Sequence, residues 1–484
     1  MKKQSQEGLT VKKSENFSEW YSQIIQKAEI VDLRLGTKGF IIIRPFGALA
    51  MENMYGIYEK ELQRNGHKPV IMPSVIPESN LKKESSHVKG FTPEVFWLET
   101  DKDDEKLALR PTSETVFTPM FSYWIRSHKD LPLKLYQKGS VFRYDTKSTR
   151  PLIRGREFNW IEAHNAFATK EEAEAQVIED IKMTETVMHG KFGIPFLAMK
   201  RPQWDKFAGA EYTIGSDVVM PDGKLIQQPS THYMGQIFSR AFEATFTDKN
   251  EKEEYLYTTA YGPAISRILA SVISTHGDDK GLVFPYCIAP LNLVIVPIYN
   301  KKNKEKVLKY IDKIENKLKL IELKFEVDGR DDYSPGWKFN EWELKGVPFR
   351  LEIGEREVKN KKLTLFIRDS GEKINISVSE LKNLNKLGKE FDDRLLKNSE
   401  KLMRGRIVNC KTKKELEKAM KDGKIARVDW CSINEEGFGC AEKIEKDVLA
   451  EVRGTLANKK EKSKGKCIVC GKPAKEIVYI AKSY

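Results

Sequence analysis

Three stretches of the chain carry residue types that chemistry needs. In LALRPTSETVF, residues 107–117, Thr112 and Glu114 stand two positions apart. On an extended backbone such side chains point the same way, so a hydroxyl and a carboxylate could together hold a substrate ammonium. The same Thr-Ser-Glu run also reads as a helix N-cap. In VFRYDTKSTRPLIRGREFNWIEAH, residues 141–164, four arginines (Arg143, Arg150, Arg154, Arg156) fall within 14 residues, and Phe158 and Trp160 follow at once. Guanidinium groups with a flanking aromatic suit a nucleotide, the arginines for phosphate and the ring for stacking; a solvated basic loop is the plain alternative. Near the C-terminus, Cys467-Ile-Val-Cys470 followed by Gly471 is half of a zinc site, which Cys431 and Cys440 could complete. The eight residues between Cys431 and Cys440 exceed the usual knuckle spacing, and free thiols are the other reading. A Cys₄ site leaves no open coordination position, so zinc there is expected to be structural.

The elements that position these residues are legible from periodicity. A helix is predicted from Trp20 to Ile30, another over 47–65 ending at Gly66, and a strand over 70–75 interrupted by Pro73. Strand-like runs at 133–143 and 157–163 flank the arginine-rich stretch as a hairpin with a long loop. A helix from Lys170 to His189 stops at Gly190, strand signals occupy 210–228, and a helix covers 265–275. Strands and helices without strict alternation imply an α+β body on an antiparallel sheet. After Pro290 the order strand, helix, strand, helix, strand, strand describes a compact α/β unit ending near 380. A charged helix from Ser379 to Arg404 then leads to a small α+β unit holding five of the six cysteines. The boundaries read from this are a polar arm at 1–19, a first domain at 20–287, a second at 288–382 and a third at 383–484.

Composition narrows the function classes. The 484 residues suggest about three domains. Charged residues at 32%, hydrophobic ones at 40% and a mean hydropathy of −0.52 exclude a membrane or disordered chain. No apolar run approaches the ~20 residues of a membrane span, and the first twenty residues lack a signal-peptide core, so a cytoplasmic protein is expected. Six cysteines in such a chain imply no disulfide framework, and Cys287 and Cys410 read as buried or incidental. The net charge of +13 is uneven: residues 401–484 hold 21 Lys and Arg against 12 Asp and Glu. A basic tail unit points to a polyanion such as nucleic acid, with a lysine-rich composition as the bland reading.

The arginine-rich stretch resembles motif 2 of the class II aminoacyl-tRNA synthetases, through Phe142-Arg143-Tyr144-Asp145, the loop, then Arg154, Phe158 and Glu162. Gly66-His67, Val70 and Pro73 are similar to motif 1, which forms the family's dimer interface, and Tyr261-Gly262 with Ser266-Arg267-Ile268 to motif 3. RPTSE, TRPLIRGREF, WDKFAGAEYT, HGDDKGLVFP and PGWKFNEWELKGVPFRLEIG further resemble the prolyl-tRNA synthetases of archaeal and eukaryotic type, over residues 17–484. Only 111 positions separate Arg156 from Arg267, too few for the editing domain of bacterial-type relatives.

The resemblance implies a class II catalytic domain, an α/β anticodon-binding domain and a zinc-binding C-terminal domain. It implies ATP, Mg²⁺, L-proline and tRNA(Pro) as substrates and partners, structural Zn²⁺, a homodimer, and no membrane. Activation joins a carboxylate to the α-phosphate of ATP, so the site needs fixed positive charge more than a general base. Arg143 is expected to bridge the two, and Arg267 to hold the γ-phosphate. Phe158 is expected to stack on adenine with Arg267 on its other face, Asp145 to receive the adenine amino group, and Arg154, Gln227 and Ser230 to line the nucleotide site. For proline, Thr112 and Glu114 hold the ammonium, Trp160, Phe207 and His232 wall the ring, and Glu162 and His164 support them. Trp160, Phe207 and both histidines also read as ordinary core. The terminal Tyr484 is expected to reach back towards the active site.

Several positions depart from the family pattern. Asp145 replaces Glu, Pro229 stands in place of Gly and Ser230 of Thr, and Pro263-Ala264-Ile265 leaves motif 3 poor in glycine. A proline removes a backbone donor, so a hydrogen bond to adenine could be lost there. A synthetase-like paralogue that binds tRNA or another RNA without ordinary prolylation is the alternative reading.

Overall fold

The structure, a computed structural model, describes residues 8–87, 95–101, 104–144 and 148–484, without side chains at 84–87. An eleven-stranded sheet forms its spine. From the edge inward, Lys68–Pro69 runs parallel to Leu133–Phe142, which pairs antiparallel with Glu157–Phe167 through ten registered residues, Leu133↔Ala166 to Phe142↔Glu157. Tyr257–Gly262, Leu225–Gly235, Tyr212–Val219 and Leu197–Lys200 follow, each antiparallel to its neighbour.

One face of this sheet is closed by helices. Phe17–Lys27 begins three residues before the predicted start, because the Asn16 side chain accepts from the Glu19 N–H at 3.1 Å and caps it there. Its Trp20, Tyr21, Ile24 and Ile25 are buried together with Met54 and Tyr58 of the helix Pro45–Arg64 and Ile268, Leu269 and Val272 of the helix Ile265–His276. The helix Lys170–Thr184 continues as a π-helical turn, Glu185–His189.

The predicted strand at 70–75 is not one. The chain pairs at Lys68–Pro69 and again at Val75–Pro77, and between them the carbonyls of Met72 and Pro73 accept from Arg110 Nη1 at 3.1 and 3.2 Å. A buried guanidinium takes the place of a ladder.

The second domain is a five-stranded sheet ordered Phe325–Val327, Leu293–Pro297, Phe349–Ile353, Lys362–Ile367, Lys373–Ser377, with the first three parallel and the last two antiparallel. The last strand has no counterpart in the sequence reading. Arg368, buried, clasps Asp278 of the first domain at 2.7 and 2.6 Å. The predicted helix from 379 is a 3₁₀ turn, Val378–Asn383, followed by an α-helix, Leu384–Arg404.

The third unit does not stand apart. Its strands Glu451–Leu456, Glu476–Ala481, Ile425–Trp430 and Ile407–Asn409 extend the spine, joined to it by Thr455↔Lys200 and Leu456↔Met199. The edge of Leu197–Lys200, otherwise a row of unpaired N–H and C=O groups, is thereby covered. Among the described residues no helix is long and apolar enough to cross a membrane.

Trp20 is fully buried and its Nε1–H donates to the Asp278 carbonyl at 3.0 Å. Trp20→Ala should lower stability by about 3–5 kcal/mol. Guanidinium unfolding of the whole chain checks this, and a shift below about 1 kcal/mol would contradict the packing described.

Candidate active site

At the middle of the sheet a cavity of about 200 Å³ is lined by Thr112, Glu114, Arg143, Trp160, Glu162, His164, Phe207, Gln227, Ser230 and His232, with Asp205, Lys206, Thr213, Ala260, Tyr261 and Gly262. Beside it a cavity of about 420 Å³ is lined by Arg154, Phe158, Asn159, Ser266 and the segment 36–41. The first has the size of a small amino acid, the second room for a flat heterocycle. A larger hollow of about 820 Å³ lies near Glu61, Lys134 and Glu179, but its Lys134 is already paired with Glu179 at 2.6 Å, so the chemistry sits elsewhere.

Glu114 does not project from an extended strand. It opens the helix Glu114–Trp124, where the N-terminal dipole favours its charge, and Thr112 Oγ1 donates to its Oε2 at 2.5 Å. Ser113, at the N-cap, makes no capping bond; its hydroxyl donates to Glu162 instead. Gln137 Nε2 donates to the same Glu162 oxygen at 2.7 Å, while its Oε1 accepts from Arg110 and from the Met72 N–H. Ser113, Gln137 and Arg110 were missed in the sequence, since a neutral donor behind a carboxylate has no spacing signature.

Glu162 Oε2 lies 3.3 Å from His164 Nε2. Burial opposes a charge on His164, but the Glu162 hydrogen bond and the nearby carboxylate of Glu114 outweigh it and raise its pKa. His232 behaves oppositely. Its ring nitrogens meet the hydroxyls of Thr213 at 2.8 Å and Ser230 at 3.0 Å, and burial, aided by His164, Arg143 and Arg201, pushes it down to about 3. It is therefore a neutral wall, tilted against Phe207 with ring centroids 4.8 Å apart. Trp160 meets Phe158 edge-on at 5.7 Å, and Gly262 lets it: a Cβ there would come within 3.0 Å of the indole.

The cationic side is built differently. Arg143 covers Phe158, 5.1 Å from the ring centroid, and its Nε donates to the Pro111 carbonyl at 3.4 Å. Arg267 enters from the helix Ile265–His276 and donates to the carbonyls of Ile153 at 3.1 Å and Gln227 at 2.9 Å. Burial, then the like charges of Arg143 and Arg154, hold it down to about 10. Such a cluster is relieved by a bound polyanion. Arg150 is used otherwise: it lies over Phe17, Tyr21 and Tyr484 at 5.4, 5.1 and 5.2 Å and anchors the C-terminus. Asp145 lies outside the described residues. Gln227 and Ser230, expected on the nucleotide side, line the smaller cavity. Pro229 falls where the ladder between Leu225–Gly235 and Tyr212–Val219 shifts register, between Gln227↔Asp217 and Ser230↔Gly215, so its missing donor interrupts no pair.

In the third unit, the sulfurs of Cys431, Cys440, Cys467 and Cys470 all lie within 4.8 Å of one another. The helix Phe438–Val448 carries Cys440 back beside Cys431, with 3.8 Å between sulfurs, which accommodates the long spacing. This arrangement could hold a metal ion.

The contrast between the two histidines is measurable. Ring ¹⁵N NMR should find His232 neutral from about pH 8 to about pH 5, and His164 titrating above the ordinary value of about 6.5. A His232 midpoint near 6.5 would contradict the burial described.

Comparison with known proteins agrees with this geometry. The tRNA synthetase class II core domain (G, H, P, S and T) matches residues 96–276, the anticodon binding domain 292–386, and the prolyl-tRNA synthetase C-terminal domain 413–484. The proline–tRNA ligase of Thermofilum pendens is 49% identical over 99% of this chain and all of its own, and that of Pyrococcus abyssi 41% over 97% and 98%. The solved structure of Giardia lamblia prolyl-tRNA synthetase in complex with prolyl-adenylate superposes with a TM-score of 0.94 at 35% identity, covering 98% of this chain and 100% of that one. The Cryptosporidium parvum enzyme complexed with L-proline and AMP gives 0.89 at 31% identity over 99% of each chain. With relatives this similar along its whole length, the chain belongs to the prolyl-tRNA synthetases.

Proposed function

We propose that this protein is a proline–tRNA ligase that activates L-proline with ATP in the paired cavities and transfers it to the 3′-terminal adenosine of tRNA(Pro). The observation that carries this reading is the adjacency of a small cavity holding Glu114 to the cluster Arg143, Arg154 and Arg267. Glu114 and Thr112 take the secondary ammonium of proline, and Trp160, Phe207 and His232 wall its ring, with Glu162 and His164 behind. Arg143 neutralises the proline carboxylate and the α-phosphate so that a carboxylate oxygen attacks phosphorus and pyrophosphate departs. Arg267 and Arg154 hold the phosphates, Phe158 stacks on adenine, and Mg²⁺ travels with the triphosphate and screens the leaving group. The tRNA ribose hydroxyl then attacks the acyl carbonyl and AMP leaves; no enzyme nucleophile is needed.

The reading includes a cytoplasmic homodimer and structural zinc. Dimerisation through the motif 1 edge is supported by Ile71, 96% exposed, and Tyr123, 71% exposed, whose neighbours Met72 and Phe121 share one buried cluster. The four cysteines fit tetrahedral Zn²⁺, which would cross-link three separate segments of the third unit.

Amino-acid-dependent exchange of pyrophosphate into ATP tests the activation step. Proline should drive it among the twenty amino acids; silence with all of them, from folded protein, would favour the RNA-binding paralogue. Arg143→Ala should reduce adenylate formation at least ~100-fold, the scale of one preorganised charge contact. Metal analysis of protein purified without chelator should find about one zinc per chain, and less than about half would overturn the zinc site.

A further inference from the structure

The third unit sends one side chain deep into the first domain. Arg453 lies on the strand Glu451–Leu456 where its pairing with Glu476–Ala481 slips between Val452↔Ile480 and Gly454↔Tyr479. Such a bulge re-aims a side chain. Here it turns Arg453, 5% exposed, onto Asp217, fully buried on the strand Tyr212–Val219, with Nε at 3.0 Å and Nη2 at 3.1 Å. The same carboxylate is clasped from the other side by Arg201, 1% exposed, at 2.7 and 2.6 Å. Burial opposes the Asp217 charge, and the two guanidinium groups outweigh it, holding the carboxyl far below its usual range.

Arg201 does not end the chain of contacts. Its Nη1 also donates to the Arg453 carbonyl at 2.9 Å, and its Nη2 to Gln227 Oε1 at 2.8 Å. Gln227 lines the smaller cavity, and its own carbonyl accepts from Arg267. An amide whose oxygen is held by a buried cation has one orientation open to it, with the Nε2 donor left for whatever acceptor enters. Gly215 clears the space, since a Cβ there would come within 2.4 Å of Arg201 Nη2.

We infer that Arg453 is a positioning residue for activation: through Asp217 and Arg201 it sets the amide of Gln227, making the C-terminal unit part of the adenylate-forming site. The inference rests on the function proposed above. Arg453→Lys keeps the charge but loses the planar fork that a shared carboxylate requires. It should raise KM for L-proline in the exchange reaction about tenfold, with the burst-titrated concentration of active sites unchanged. In a Gln227→Ala background the same substitution should change KM less than about twofold, because the group it positions is gone. Equal effects of Arg453→Lys in both backgrounds, or a loss of active sites at constant KM, would overturn the inference and leave Arg453 a structural tie. Should the parent protein show no proline-dependent exchange, the proposed function falls by itself, and the same cycle read directly on the dissociation constant of L-proline decides the relay.

Discussion

Opposite charges must line one cavity without cancelling, and the rest of the structure follows from that constraint. Glu114 is met by a hydroxyl and a helix N-terminus, neither of which takes its charge away. Arg267 is met by two backbone carbonyls and makes no ion pair among the described residues. Each charge is thus held in place by a dipole and stays available to a ligand of the opposite sign. A carboxylate and guanidinium brought into direct contact would satisfy each other, and the site would close on itself.

An antiparallel sheet suits this task. Leu133–Phe142 and Glu157–Phe167, locked through ten registered residues, hold Arg143 at one end of the hairpin and Glu162 and His164 further along the second strand. Rigid strands fix the distances that loops could not. Two direct ion pairs join parts of the fold: Asp278 with Arg368 ties the second domain to the first, and Asp217 with Arg201 and Arg453 ties in the third. Full burial of Asp217 makes either arginine costly to lose, because an unpaired charge would remain in the interior.

Much of the architecture was legible in the sequence because it is local. The hairpin, the helices near 47–65, 170–189 and 265–275, and the α/β order after residue 290 all follow from periodicities that neighbouring residues carry. The misreadings have tertiary causes. Met72 and Pro73 look like part of a strand, yet Arg110, nearly forty positions on, takes their carbonyls. Phe17 looked like part of a polar arm, yet the cap at Asn16 and burial against distant helices draw it into the core.

For the candidate site, the chemical inventory is already present in the chain: which carboxylates, arginines, aromatics and cysteines exist, and in what order they follow one another. Residue type and near spacing are written in the chain. Which of them meet is settled by long-range packing: Ser113 serves Glu162 rather than its own helix, Gln227 faces the smaller cavity, Cys440 returns to Cys431, and Arg453 reaches Asp217 across 236 positions. Contacts at such separations depend on the summed packing of whole sheets, whose free energy no short window of sequence contains.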